Sequence, residues 1–185
     1  PLRDRRQLQA GLPDLAKRFP SHKEFANADA RSVIGQTPQP VRKLGAEILD
    51  SVVLLNQGGR FEVQRLPMQA QWSPVFGIAV ADFNGDGALD LALAQNQFAV
   101  HPEDTRLDAG RGLILRGDGQ GGFAPVSGTE SGVRIYGEQR GAAAADFDED
   151  GRVDLVVSQN GASTVLLRNV SAQPGLRVRL AGPPA

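Results

Sequence analysis

The stretch ADFNGDGALDLALAQN fills residues 81–96, and a near copy, ADFDEDGRVDLVVSQN, fills residues 145–160. Counted from its first Asp, each copy carries an acid or Asn at positions 1, 3, 5 and 9. These are Asp82, Asn84, Asp86 and Asp90 in the first copy, and Asp146, Asp148, Asp150 and Asp154 in the second. Position 6 is Gly87 or Gly151, a residue type suited to a sharp turn. Position 7 is Ala88 or Arg152, two side chains with nothing in common. A position that tolerates such a change can contribute through its backbone carbonyl.

Two readings compete for these loops. Asp, Asn and Gly are ordinary turn residues, so the acids could simply decorate a solvated turn. Alternatively, alternate residues of a tight loop turn inward and converge on a cation such as Ca²⁺, which takes about six to eight hard oxygens. Two loops in register favour the cation, because crowded carboxylates repel one another without a counter-charge. The expected ligands are Asp82, Asn84, Asp86, the Ala88 carbonyl and Asp90, and then Asp146, Asp148, Asp150, the Arg152 carbonyl and Asp154. An EF-hand needs Glu at position 12 between two helices. Here that position is Leu93 or Val157, and both flanks read as strands.

Outward from the loops the chain reads as β. VFGIAVADF and LDLALAQ flank the first loop, and RGAAAADF and VDLVVSQ flank the second. AEILDSVVLLNQGGRFEVQRL and GLILRGDGQGGFAPV each read as two apolar runs joined by a Gly-rich turn, a hairpin signal. STVLLRN repeats the VVLLN strand. Asp82 and Asp146 are 64 residues apart (146 − 82). Four short strands at such a period predict β-propeller-type blades of four antiparallel strands, here a partial propeller. The first third differs. LPDLAKRF, SHKEFANA and DARSVIG predict short helices, with Ser21 and Glu24 as a capping box, Asp29 as an N-cap and Gly35 as a stop. TPQPVRK reads as a linker.

VFGIAVADFNGDGALDLAL and RGAAAADFDEDGRVDLVV resemble FG-GAP/VCBS repeats, the blades of integrin-α-like propellers. The resemblance covers about residues 46–185. It implies Ca²⁺ in the D-x-[DN]-x-D-G-x-x-D loops, which both copies match. Its wider context, from LPMQAQWSPVFG to the closing GLRVRLAGPPA, looks like bacterial proteins that continue into an ASPIC/UnbV domain. The organisation expected is a helical segment and linker at 1–44, blades at 45–170, and the start of an ASPIC/UnbV-like region at 171–185. A start at Pro1 and a Pro-rich end fit a piece of a longer protein.

Composition limits the function. With 20 Lys+Arg against 21 Asp+Glu, no general pull toward nucleic acid is expected. No apolar run reaches the roughly 20 residues that span a bilayer, and with no Cys there is no disulfide or thiolate site. GDGQGG satisfies a dinucleotide fingerprint, but FAPV follows where a helix should, so a hairpin turn is expected. Arg116–Asp118 reads RGD in that same turn and is taken as chance. His22 and His101 lack metal or nucleophile partners in sequence, and Arg106–Asp108 and Glu138–Arg140 read as structural pairs. Trp72, Phe98 and Tyr136 read as too scattered for a stacking platform. Asn169 begins an NVS sequon. The expected function is a non-enzymatic, Ca²⁺-binding module of the bacterial envelope (secreted, periplasmic or cell-surface) that recognises protein or carbohydrate. The alternatives are a structural subunit or accessory domain of a larger complex, or a fragment of a propeller enzyme.

Overall fold

A computed structural model describes residues 4–35, 44–102 and 104–175. The linker at 37–43 and the closing LRVRLAGPPA at 176–185, with all but five residues of the expected C-terminal region, lie outside the described residues. The chain divides into two compact units, Pro1–Glu47 and Ile48–Ala185.

The first unit holds four short helices: α1 (Arg5–Gln9), α2 (Leu15–Arg18), α3 (His22–Ala26) and α4 (Ala30–Ile34). None is long enough to be stable alone, so packing and caps sustain them. Ser21 and Glu24 form the expected reciprocal capping box. The Asp29 carboxylate accepts from the Ser32 N–H, and α4 ends at Gly35 with φ 71°. The α1 helix was not expected from the charged PLRDRRQLQ, where Asp4 supplies an N-cap. Leu15, Phe25 and Val33 are buried together, with Leu8, Leu12, Phe19 and Ala28 packed around them.

The second unit is β. Its described strands make three antiparallel sheets and no closed ring. The first is the hairpin of β1 (Val52–Asn56) and β2 (Phe61–Arg65). The second is a four-stranded meander of β3 (Val75–Ala81), β4 (Asp90–Gln95), β5 (Leu113–Gly117) and β6 (Phe123–Val126). A short helix, α5 (Gly128–Ser131), leads on to the third sheet of β7 (Glu138–Ala145), β8 (Asp154–Asn160) and β9 (Val165–Leu167).

The repeat in sequence is a repeat in register. Ala81 pairs with Asp90 at the first acidic loop, and Ala145 with Asp154 at the second. Both hairpins slip register at the same repeat position, between Val75 and Gly77 and between Gln139 and Gly141. At that slip the β3 and β7 backbones come close. A Cβ on Gly77 would lie 2.8 Å from backbone atoms of Gly141 and Ala142. One core joins these sheets through Ala79, Ala92, Ala94, Ile114, Leu155 and Val157. A second, around Leu66, Leu91, Leu93 and the fully buried Leu115, joins β1 to the other face of the meander. Every residue of β4 is buried, because the strand is covered on both faces.

Candidate metal centre

The two acidic loops close the β3–β4 and β7–β8 hairpins, so the ninth residue of each is held by strand pairing and the first follows directly on a strand. The ninth-position carboxylate has the same work in both. Asp90 accepts from the Phe83 N–H at 3.0 Å and the Gly117 N–H at 2.9 Å. Asp154 accepts from the Phe147 N–H at 3.0 Å and the Asn169 N–H at 2.8 Å. Each is buried and ties its own loop to the end of the next strand, β5 or β9.

The rest of the two loops differs. In the first, Asp82 is saturated by amides: the Gly85 N–H (2.7 Å) and Asp86 N–H (3.2 Å) on one oxygen, and the Gly87 N–H (2.8 Å) on the other. Asn84 and Asp86 turn toward one another, with the Asn84 amide 2.7 Å from the Asp86 carboxylate. The Ala88 N–H, and after it the Asn84 amide, hold the Asp86 carboxyl below the usual carboxylate range. The first loop is thus closed on itself.

In the second loop Asp146 accepts only the Gly151 N–H, at 3.0 Å through Oδ2. Its Oδ1 is buried with no hydrogen-bond partner, and so is Oδ1 of Asp148. Asp146, Asp148 and Asp154 each offer a carboxylate oxygen, all within 4.8 Å of one another. Among the described residues no other group of three or more such side chains converges in this way. Asp150 stands apart from the trio. It accepts from the Arg152 N–H at 2.9 Å and the Arg152 guanidinium at 2.6 Å, which lower its pKa, the backbone bond most. Arg168 donates to Asp148 Oδ2, which raises the Arg168 pKa.

These two arginines, absent from the sequence argument about repulsion, supply part of the counter-charge. They leave Oδ1 of Asp146 and Oδ1 of Asp148 without a partner. Buried carboxylate oxygens without partners are costly, and three hard oxygens within 4.8 Å of one another are part of the oxygen set a hard divalent cation takes. Asp146, Asp148 and Asp154 therefore fit a cation. The first loop brings Asp82, Asn84, Asp86, Ala88 and Asp90 into one turn, but with its oxygens occupied by its own amides.

A single residue links the loops. The Asn169 side-chain amide donates to the Phe83 carbonyl at 2.7 Å and the Val153 carbonyl at 3.2 Å. The chain beyond it stays close: Arg152 Nε donates to the Ala172 carbonyl at 2.8 Å, and the Gly175 N–H to the Gly151 carbonyl at 2.6 Å.

The remaining candidates resolve as structure. The GDGQGG segment is the β5–β6 turn, and Asp118 accepts the Gln120 and Gly122 amides within it. Arg116 pairs with Glu130. Arg106 lies over the Phe98 ring. Glu138 and Arg140 form an ion pair, and Glu138 also accepts the Phe98 N–H (2.8 Å) and the Asn160 amide (2.6 Å). His22 begins α3, and His101 lies on an exposed turn. The aromatic side chains need a correction: Trp72 and Tyr136 are not scattered but line one pocket. No helix among the described residues is long and apolar enough to cross a membrane. No protein-family model and no curated protein sequence matches the chain.

Proposed function

We propose that the second unit is a Ca²⁺-stabilised, non-enzymatic recognition module built from FG-GAP/VCBS-type propeller blades and working at the bacterial cell exterior or envelope. The observation that carries the metal reading is the pair of buried, unpartnered oxygens on Asp146 and Asp148, beside Asp154. Asp146, Asp148 and Asp154 supply the first three oxygens, and the Arg152 carbonyl and Asp150 complete the set once Asp150 leaves its arginine. Bound Ca²⁺ supplies charge neutralisation and rigidity; the chain supplies the strands that hold the loop ends. The first loop, with Asn84 in place of an acid and Asp82 saturated by amides, is the weaker site. Near-millimolar Ca²⁺ outside the cell fills even loops of modest affinity.

The test is calorimetric titration of the whole chain with Ca²⁺. Wild type should show a tighter and a weaker site, and Asp146→Asn should remove the tighter one. Absence of any Ca²⁺ heat, or loss of the weaker site in that variant, would refute the assignment.

A second reading, a structural module within a larger assembly, is favoured by Phe76, Ile78 and Val80. They alternate along β3 and are exposed on one face. In a propeller such a face packs on an adjoining blade.

A further inference from the structure

Trp72 and Tyr136 are the chain's only Trp and only Tyr. They lie 64 residues apart (136 − 72), the offset of the acidic loops, so they occupy the same repeat position. Both line a pocket of about 650 Å³, and both are largely exposed, at 55% and 62%. Trp72 precedes β3 and Gln95 ends β4, so the pocket sits at the opposite end of that hairpin from the acidic loop.

Among the described residues, the charged ones of this pocket are Arg111 and Arg134, and no carboxylate lines it. Arg111 lies 5.2 Å from the centre of the Tyr136 ring. Arg134 is oriented by the Gly128 carbonyl at 3.0 Å and the Thr129 hydroxyl at 2.9 Å. Gln95, 2% exposed, also lines the pocket, its amide 3.4 Å from the Gln69 carbonyl.

We infer that this pocket binds an acidic saccharide, a short sugar chain carrying carboxylate or sulfate groups. The inference rests on the recognition reading above and names its ligand class. Exposed aromatic rings pack against the C–H faces of sugar rings while water reaches the hydroxyls. Arginine forks match planar carboxylates and sulfate-like oxyanions. Two arginines with no acid among the described lining residues select an anion over a neutral sugar, and the buried amide of Gln95 suits a hydroxyl. The volume lies within the range of about 300–1,000 Å³ typical of small-ligand sites.

Trp72 emission, the chain's sole tryptophan signal, reads the pocket directly. The full chain is titrated in saturating Ca²⁺ with three probes: a galacturonic acid trimer, a sulfated disaccharide and a neutral galactose trimer. Sodium sulfate serves as the bare-anion control. The inference expects saturable change with at least one acidic probe, weakening as salt rises, at least ten-fold weaker in Arg111→Ala and lost in Tyr136→Ala. Circular dichroism of the two variants, both at exposed positions, should match wild type. The carboxylate and sulfate arms distinguish the two anion sources. Equal binding of the neutral trimer, equal competition by sodium sulfate, or no response to any probe from folded protein would overturn it. Calcium calorimetry on the same samples keeps the outcomes separate: Ca²⁺ can bind while every sugar fails, or the reverse.

Discussion

Asp148 faces two competitors at once. Its Oδ2 is taken by Arg168, its Oδ1 is buried without a partner, and its carboxylate belongs to the trio with Asp146 and Asp154. A cation entering the trio is repelled by that exposed guanidinium. Arg168→Gln should therefore tighten the stronger Ca²⁺ site, by up to about five-fold given the modest worth of exposed ion pairs; weaker binding in the variant would show that Arg168 instead preorganises Asp148. Glu138 gives a pH prediction. The Asn160 amide, then the Phe98 N–H, hold its carboxyl below the usual carboxylate range. A lowered folded pKa contributes stability that is full above the unfolded value, about 4.3, and is lost as pH falls through the folded one. Glu138→Gln should thus be less stable than wild type at pH 7, and the gap should shrink as pH drops below about 4.3. Urea midpoints at pH 7, 5 and 3 measure it, and a gap that widens toward acid contradicts the assignment.

At the scale of elements, the register slip shared by β3 and β7 places two equivalent glycines in unequal surroundings. A Cβ on Gly77 meets backbone of the neighbouring sheet at 2.8 Å, whereas one on Gly141 meets only the Ser158 hydroxyl, at 2.9 Å. Backbone cannot step aside, but a hydroxyl can rotate. Gly77→Ala should cost roughly 1–3 kcal/mol as overpacking, and Gly141→Ala less; the reverse order in thermal denaturation would mean that the sheets slide apart easily. The hairpins themselves were legible in sequence, because NQGG, the acidic loops and GDGQGG are local signals between alternating apolar runs. So were the Ser21 and Asp29 caps. That the two acidic loops are unequal was legible as well, because Asn84 stands where the second copy has Asp148; the contact of Arg168, brought beside Asp148 from β9's far end, was not. Trp72 and Tyr136 stand far apart along the chain, and the 64-residue offset that relates them (136 − 72) is what sets both on one pocket.

For the whole β unit, the proposed metal and the core give separable contributions to stability. Ca²⁺ at a hundred times its dissociation constant adds about 2.7 kcal/mol through binding to the native state. Chelation should then lower the melting temperature by roughly 10 °C for a unit of this size, and an unchanged midpoint would count against any stabilising metal. Leu115, wholly buried where the meander packs on β1, gives a metal-independent comparison. Leu115→Ala should cost about 2–5 kcal/mol with and without chelator alike. Asn169 bears on how the protein can be produced. Its amide nitrogen is committed to carbonyls of both loops, yet Asn169-Val170-Ser171 is an acceptor sequence for N-linked glycans. A eukaryotic secretory host would attach its first sugar to that nitrogen before the clamp closes. One of its two N–H groups would be lost, and a bulky chain would stand where the loops meet. Material from such a host should separate into a glycosylated, less stable fraction and an unmodified one. Ser171→Ala, which removes the acceptor while keeping the residue 171 N–H that donates to Asn169, should restore a single stable species.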